Sequence, residues 1–599
     1  MTSKISFVKL MQEDFKRRSW GAVFLAVLFF LAYPAAVMMN LDSMMDTRSG
    51  VVYTTTEIIH WLKYFLGFDF GMHFALVIAA AVLIGTAEFS YLHSKEQLDL
   101  YYSLPIRRKR LFMSGYATGA AVFVVILAVS QVLTLLVLGM EGMLFRELVY
   151  LTAKTMLFRV ISFLFLYHLV IFAMEFTGKT VLALMGMLIL AVYGPVLVII
   201  FSTLAEIGLY TMTTLNVSWY INNTTPIGIL YSLGDCLWNE VPYLTQAVLV
   251  TLGTVGMFCL DLWMCEHRRT EHAGMSLAFP KMEQILKFLL VLPGAMVIGF
   301  LAYGMAGEGK YTWIFAGFLF GVVVLSVLME FIYHKDMKMI LRHKLGLGVT
   351  AAAGILLISA FMFDWMGYNS WLPAKEEIRA MSVYGADGFT GYGAGSEVQY
   401  DLDGDNYKYE DAYERMRKTG TEDIDLLYEL AQEGAACGRY TGEDWKEMQV
   451  QFVLKDGKEK LRSYRLPQGV YEEAEIKLYE EAWYREMCYP LLAEDGEERI
   501  PYVTGVELIN NSGLLTNISG EKAKELLAVY REELAGMSVE DLKQIDTEDM
   551  DSYVDINIMI EKDGKHYTLS GYPMNKKFEK TLELSGWQEQ MEETETNVN

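Results

Sequence analysis

Nine runs of about 20 mostly apolar residues occupy the first 366 positions of this 599-residue chain. A helix needs roughly 20 apolar residues to cross a hydrocarbon core of about 30 Å. The runs lie near 20–39, 72–91, 114–138, 156–175, 180–204, 244–264, 285–304, 312–332 and 346–365. They predict a polytopic α-helical membrane protein with about nine transmembrane helices, and they exclude a water-soluble globular chain.

Charge divides the chain after residue 366. Residues 367–599 contain 25 Lys and Arg against 50 Asp and Glu, a net charge of −25, whereas residues 1–366 have a net charge of +2. Net charge of this size on a polar segment favours a separate soluble domain. We therefore predict a membrane part followed by an acidic domain over 367–599.

The acidic part has the turn signals of an α+β domain. Asp456-Gly457 and Asp563-Gly564 each lie between alternating runs, over 449–466 and 555–570, which is typical of β-hairpins. Helical stretches flank both hairpins, over 422–434 and 472–491 for the first and over 521–536 and 575–591 for the second. The equivalent contexts predict two related α-β-β-α modules.

The Lys/Arg bias of the loops predicts the orientation. Loops on the side of the N-terminus carry 19 Lys and Arg, and the opposite loops carry 6, among which we count Arg159. Because basic loops stay in the cytoplasm, we expect a cytoplasmic N-terminus in a cell membrane. Nine crossings then place the acidic domain outside the cell.

The first basic loop, residues 92–111, is the most informative stretch. Helical spacing places Leu98, Tyr101 and Tyr102 on one side of a short amphipathic helix, which ends at Ser103 and Pro105 before a basic run. One interpretation is an anchor that lies on the lipid headgroups. The other is a helix whose apolar side docks into a groove on a partner protein.

Two loop sequences, LHSKEQLDLYYSLPIRRKRLF from Leu92 and RRTEHAGMSLAF from Arg268, resemble those of ABC-2-type ABC transporter permeases, in particular large bacterial permeases with an extracytoplasmic C-terminal domain. The resemblance covers residues 1–366 in layout. It implies a cytoplasmic amphipathic helix at 1–19, a six-span permease core at 20–264 and an ATPase-coupling helix near 94–104. The three further transmembrane helices at 265–366 and the domain at 367–599 exceed the family pattern. The coupling residues implied are Gln97, Leu98, Asp99, Leu100, Tyr101, Tyr102, Ser103, Leu104, Pro105, Arg107 and Arg108.

The same resemblance implies the partners. ATP and Mg²⁺ would bind a separate cytoplasmic ABC ATPase, so no cofactor is expected in this chain. The permease would form a homodimer, or a heterodimer with a similar permease, in contact with membrane lipid and not with nucleic acid.

The segment 205–243 has no Lys or Arg but is rich in aromatic residues and helix breakers. Aromatic side chains favour the membrane interface. A re-entrant outer segment and an ordinary loop lying on the membrane both fit this composition. In the first interpretation the outer gate comprises Trp219, Tyr220, Pro226 and Tyr231.

Ionisable residues in or beside the spans need partners, because an unpaired charge in hydrocarbon is costly. Glu88, Glu175, Glu266 and Glu330 lie at the cytoplasmic ends, where pairing with nearby Lys or Arg is the simpler interpretation and a proton or substrate relay is the other. Asp261 lies about one turn inside the sixth span and is the better candidate for a buried polar partner.

The sequence motifs that could indicate nucleotide binding, metal binding or catalysis are weak. Gly178-Lys179-Thr180 matches a loose phosphate-loop pattern, but it lies in a turn between two membrane helices rather than after a β-strand. The cluster Glu266, His267, Glu271 and His272 lacks zinc-site spacing, and Asp401, Asp403 and Asp405 begin a calcium loop that later positions do not complete. Cys437 and Cys488 are candidates for a disulfide if their domain is extracytoplasmic. We therefore predict no catalytic residue and no metal site, and expect that the chain is not an enzyme.

The sequence leaves two classes of function open. The first is an ABC transporter permease, by resemblance an exporter of hydrophobic, peptide-like, antibiotic or lipid substrates. The second is a membrane sensor or scaffold whose acidic domain binds a ligand such as a cationic peptide. A membrane-embedded enzyme would need catalytic groups that converge within the spans, and the sequence indicates none.

Overall fold

A computed structural model describes residues 7–45, 53–68, 71–213, 217–239, 241–307, 309–334, 344–385, 396–401, 407–410, 412–438, 444–510, 515–543, 554–562 and 565–587. Contacts divide the chain into two compact units. The membrane unit comprises residues 1–203 and 216–358, and the C-terminal unit comprises residues 204–215 and 359–599.

Among the described residues, nine helices are long and apolar enough to cross a membrane, as the sequence predicts for a multi-pass membrane protein. We number them as spans 1 to 9: Phe7–Met45, Met72–His93, Arg108–Met140, Arg146–Phe176, Thr180–Gly208, Leu244–His267, Pro280–Ala306, Thr312–Tyr333 and Leu345–Met362. Four shorter helices connect them: Thr55–Leu66, Lys95–Ser103, Val217–Thr224 and Pro226–Trp238.

Span 1 differs from the sequence prediction of a separate N-terminal helix at 1–19. The described helix begins at Phe7 and continues through a π-helical turn at Leu31–Ala35 to Met45. Pro34 lies inside that turn, where its missing N–H disrupts the regular α-helical ladder. The predicted N-terminal helix and the first transmembrane helix are therefore one continuous element.

Glycines allow close contact between the spans. A Cβ atom on Gly119 of span 3 would lie 2.3 Å from the Tyr167 hydroxyl of span 4, and one on Gly85 of span 2 would lie 2.5 Å from Val170. A larger residue at either position would push the helices apart, since interiors are close-packed. Spans 2, 3 and 4 thus share one tightly packed core.

The described part of the C-terminal unit contains nine strands: β1 (Ile378–Gly385), β2 (Ser396–Asp401), β3 (Tyr407–Glu410), β4 (Trp445–Leu454), β5 (Glu459–Pro467), β6 (Val503–Asn510), β7 (Leu515–Ser519), β8 (Val554–Lys562) and β9 (Lys565–Met574). They form two antiparallel sheets, ordered β1-β4-β5 and β3-β2-β9-β8-β6-β7. Its principal helices are Asp425–Cys437, Gln468–Glu480, Ala482–Cys488, Glu521–Gly536 and Glu579–Ser585.

Both predicted hairpins are present. The first, β4-β5, turns at Gly457, whose φ of +83° suits glycine, and the second is β8-β9. In each sheet an earlier strand also pairs antiparallel with the first hairpin strand, β1 with β4 and β6 with β8. One hydrophobic core joins both sheets, so the two α-β-β-α segments form a single domain.

The two candidate cysteines of the C-terminal unit do not form a disulfide in the structure. Cys437 is a half-buried free thiol, whereas Cys488 is a free thiol in the hydrophobic core. Burial raises the pKa of the Cys488 thiol. We expect this cysteine to be unreactive in the folded domain.

A buried asparagine joins the chain after span 5 to the chain after span 9. The Asn369 amide donates to the Gly208 carbonyl at 3.0 Å and accepts from the Thr211 backbone N–H at 3.3 Å. Ser463 of β5 donates its backbone N–H to the Thr211 carbonyl at 2.9 Å. The ends of spans 5 and 9 therefore lie on the same side, as four intervening crossings require. We call Gly208, Thr211, Asn369 and Ser463 the asparagine clamp.

The asparagine clamp yields the first prediction. Asn369→Leu leaves buried backbone groups unpaired, each at a cost of about 1–3 kcal/mol. We expect the amides of Thr211 and Ser463 to exchange hydrogen faster by mass spectrometry, with no change in Ser370→Ala, because Ser370 is exposed. Equal exchange in both variants would contradict the clamp.

Candidate functional site

A short helix is present where the sequence predicts the coupling helix, and we keep that name for it. It comprises Lys95–Ser103, and the Ser94 side chain accepts from the Gln97 backbone N–H as an N-cap. Leu104 has an extended backbone and Pro105 follows, which ends the helix. The helix lies where spans 2, 3, 4 and 6 end, on what we call the basic side.

One side of the coupling helix packs against the membrane unit. Leu98 is 1% exposed, and the Tyr101 ring lies 4.7 Å from that of Tyr91. The Arg108 guanidinium stacks 4.4 Å above the Tyr102 ring, and burial raises the pKa of Tyr102 to about 12. The side predicted to face a partner therefore anchors the helix instead.

The opposite side of the coupling helix is open to solvent. Leu100 is its exposed apolar residue, with 57% of its surface accessible. The other predicted coupling residues that are exposed are Gln97, Asp99, Ser103, Pro105 and Arg107, whereas Leu104 is half-buried. Leu100 and the polar residues around it form the surface that a partner can contact, and we call it the free face.

Arg268 is the buried centre of the basic side. It is 1% exposed and donates to the carbonyls of Met174 and Leu92, each at 2.9 Å, and to the Glu175 carbonyl. Its own carbonyl accepts from Arg108 at 2.9 Å. These carbonyls belong to the ends of spans 2 and 4, where helices leave acceptors unpaired. The Arg268 side chain thus joins the ends of spans 2 and 4 to the end of span 6, and the Arg108 side chain adds span 3.

The turn between spans 4 and 5 has no room for a phosphate. Thr177 forms a β-bridge with Leu277, and a Cβ atom on Gly178 would lie 2.3 Å from the Met275 carbonyl oxygen. The Gly178 carbonyl accepts from the Gly274 N–H. This backbone is occupied by the next loop, which supports the sequence interpretation of Gly178-Lys179-Thr180 as a helix-connecting turn.

The acidic residues at the span ends are mostly paired, as expected. Glu88 pairs with Arg18 of span 1, Glu330 pairs with Lys287, and Glu266 lies 3.1 Å from Lys109. Asp14 of span 1 accepts from Ser114 of span 3 at 2.9 Å. Span 1 is therefore held by polar contacts that its apolar sequence does not indicate.

The polar partner of Asp261 is His168, which the sequence analysis missed. The His168 Nδ1 and Asp261 Oδ2 atoms are 2.8 Å apart, and both side chains are buried. The Tyr116 hydroxyl lies 3.3 Å from His168 Nε2. His168 and Tyr116 lie in largely apolar runs with no motif to link them, so only the helix packing reveals that they meet.

The predicted outer segment forms two short helices that meet at a break. The Thr225 side chain accepts from the Gly228 N–H, and Pro226 occupies the first helical turn. A Cβ atom on Gly194, midway along span 5, would lie 2.4 Å from the Thr224 carbonyl. The break therefore reaches the middle of span 5. The predicted gate residues Trp219, Tyr220 and Tyr231 are exposed, and Pro226 is half-buried.

Arg159 was counted among the Lys and Arg residues of the loops opposite the N-terminus, but it does not lie in a loop. It lies inside span 4, is 3% exposed and donates to the carbonyls of Leu66 and Gly67 at 3.3 and 2.9 Å. These carbonyls end the short helix Thr55–Leu66, and a buried cation can satisfy them. Arg159 thus holds that helix against the membrane unit.

The part of the chain that the structure describes contains no group of three or more His, Cys, Asp or Glu residues that could hold a metal ion. Asp401 ends strand β2, while Asp403 and Asp405 of the rejected calcium motif lie outside the described residues.

The buried arginine yields the second prediction. Arg268→Lys keeps the charge but cannot reach three carbonyls, so we expect hydrogen exchange to rise across residues 92–104 by at least tenfold, the effect of about 1.4 kcal/mol. Arg269→Lys, at the neighbouring exposed position, is the control and should leave exchange unchanged. Exchange that is equally slow in both variants would rule out this role for Arg268.

Comparison with known proteins gives one match. The model of a domain family of unknown function, DUF6449, matches residues 452–584, from within β4 to the last described helix. No curated protein and no solved structure matches the chain. The C-terminal unit is thus similar to a domain family to which no activity is assigned.

Proposed function

We propose that the chain is the membrane-spanning permease subunit of an ATP-driven ABC transporter, and that it binds a separate ATPase through the coupling helix. The observation that carries the proposal is the free face of that helix. Leu100 remains exposed, although Leu98 on the opposite side is buried and Tyr101 and Tyr102 are half-buried. An exposed apolar residue among polar neighbours suits a partner's groove.

The anchorage of the coupling helix supports a mechanism. A force on the free face would act on Leu98 and Tyr101, and through Arg268 and Arg108 on the ends of spans 2, 3, 4 and 6. Closure of an ATPase dimer would then move these ends as a rigid group, a common form of conformational change. In the proposal this motion alternates the access of a pathway between two permease copies.

The short outer helices fit the other end of such a pathway. Their break lies beside Gly194 at the middle of span 5, so a shift of span 5 would displace it. Export, and a hydrophobic, peptide-like, antibiotic or lipid substrate, follow from the family resemblance. With the basic side in the cytoplasm, the acidic domain is extracytoplasmic.

The third prediction tests ATPase binding. Leu100→Asp should abolish co-purification of an ATP-hydrolysing subunit from mild detergent, because the charge would have to be buried in the partner's groove. Ile476→Asp, at an exposed apolar position in the C-terminal unit, is the matched control and should retain the subunit. Retention by both variants would refute the docking role of the free face.

A sensor function is a second candidate, supported by a separate observation. The C-terminal unit carries a large negative charge, and the asparagine clamp connects it to the end of span 5. Ligand capture by the domain could therefore reach span 5 through hydrogen bonds. Cationic peptides have the complementary charge.

The fourth prediction concerns this sensor. The full-length protein should bind oligolysine, and the affinity should fall steeply between low and high salt because exposed charges are screened beyond about 10 Å at 0.1 M salt. An uncharged oligoglutamine is the control. Equal binding of both peptides, or no dependence on salt, would contradict recognition by charge.

A further inference from the structure

The membrane unit contains a buried cluster of titratable groups that ATPase docking does not require. His168 and Asp261 form a hydrogen-bonded pair between spans 4 and 6, and Tyr116 of span 3 meets the other nitrogen of the imidazole ring. The three residues lie six to eight positions from the basic-side ends of their helices, or roughly 9–12 Å at 1.5 Å per residue. They therefore share one level inside the membrane unit.

Two carboxylate oxygens in this region have no hydrogen-bond partner among the residues that the structure describes. They are Oδ1 of Asp261, whose side chain is fully buried, and Oε2 of Glu175, whose residue is 1% exposed. Glu175 follows His168 by seven residues, so both lie on the same side of span 4. An unpaired carboxylate oxygen in an apolar interior is costly unless a cation or a proton reaches it.

The surroundings of the pair are aromatic and closely packed. The Tyr116 and His168 rings stack at 5.1 Å, and the Phe258 ring lies 5.5 Å from each of them. The titratable groups that act electrostatically on Asp261 or Glu175 are His168, Tyr116, Tyr167, Cys265, Tyr91, Tyr102 and Arg268. Arg268, on the basic side of Glu175, is the only permanent cation among them.

The sum of the formal charges in the cluster indicates how many protons it needs to become neutral. With a neutral imidazole, the two carboxylates of Asp261 and Glu175 and the single cation Arg268 sum to one negative charge. One additional proton, on either carboxylate or on the imidazole, makes the cluster neutral. The cost of burying net charge in the membrane favours this neutral state.

We propose that His168, Asp261 and Glu175 form a proton-binding site within the membrane unit, which holds one exchangeable proton and exchanges it with the basic side. In the closed arrangement Nδ1–H of His168 donates to Asp261, and the Tyr116 hydroxyl donates to Nε2. The proton leaves only when the ends of spans 4 and 6 separate and admit water. Proton release is thereby linked to the position of Arg268, which holds those ends together. The proposal does not rest on transport or on an ATPase.

The experiment locates the proton directly in the full-length protein in lipid nanodiscs at neutral pH. Infrared spectra detect a buried protonated carboxyl group, and ¹⁵N spectra of histidine-labelled protein detect an imidazolium ion. We expect one of the two signatures. It should be lost in Asp261→Asn, because that substitution removes the surplus negative charge, and a signature of the imidazolium type should also be lost in His168→Gln. Glu266→Gln, an exposed position on the same span, is the control and should leave it unchanged.

Tyr116→Phe retains the stacking of the residue 116 ring on the His168 ring, and it provides a second test if the other variants do not fold. It should shift the ¹⁵N signal of the His168 Nε2 atom, because only the hydroxyl is removed. Absence of both signatures at neutral pH would overturn the proposal. So would a signature that persists in folded Asp261→Asn.

Discussion

Hydrogen bonding of backbone groups where membrane helices end is the constraint on which the basic side depends. In hydrocarbon these groups cannot bind water, so the protein must supply partners. Arg268 provides them for the ends of spans 2 and 4, and Arg159 provides them for the helix Thr55–Leu66. Each of these cations is buried, and each joins elements that are distant in the sequence.

Different interactions stabilise the two units. The membrane unit is held by close helix contacts at Gly85 and Gly119 and by a few buried polar pairs. The C-terminal unit has a hydrophobic core between two sheets and a strongly acidic composition. The asparagine clamp lies within the C-terminal unit, yet it includes the end of span 5.

Much of the fold could be predicted from the sequence because its signals are local. Apolar runs indicate spans, and an Asp-Gly pair indicates a hairpin, whatever the rest of the chain does. The coupling helix could also be predicted from local signals, because Ser94 and Pro105 mark its two ends. Which side of this helix is exposed could not be predicted in the same way, because the burial of Leu98 and the exposure of Leu100 depend on contacts with other spans. The pairing of His168 with Asp261 and the free state of Cys488 are likewise properties of tertiary packing.

The most direct test of the central claim is photo-crosslinking from position 100 in cells. A photoreactive amino acid in place of Leu100 should attach to an ATP-binding protein, while the same amino acid in place of Ile476 should not. A crosslink to an ATPase from position 100 alone is the result that this account predicts. Crosslinks from position 100 to lipid only, in protein whose membrane unit is folded, would contradict it.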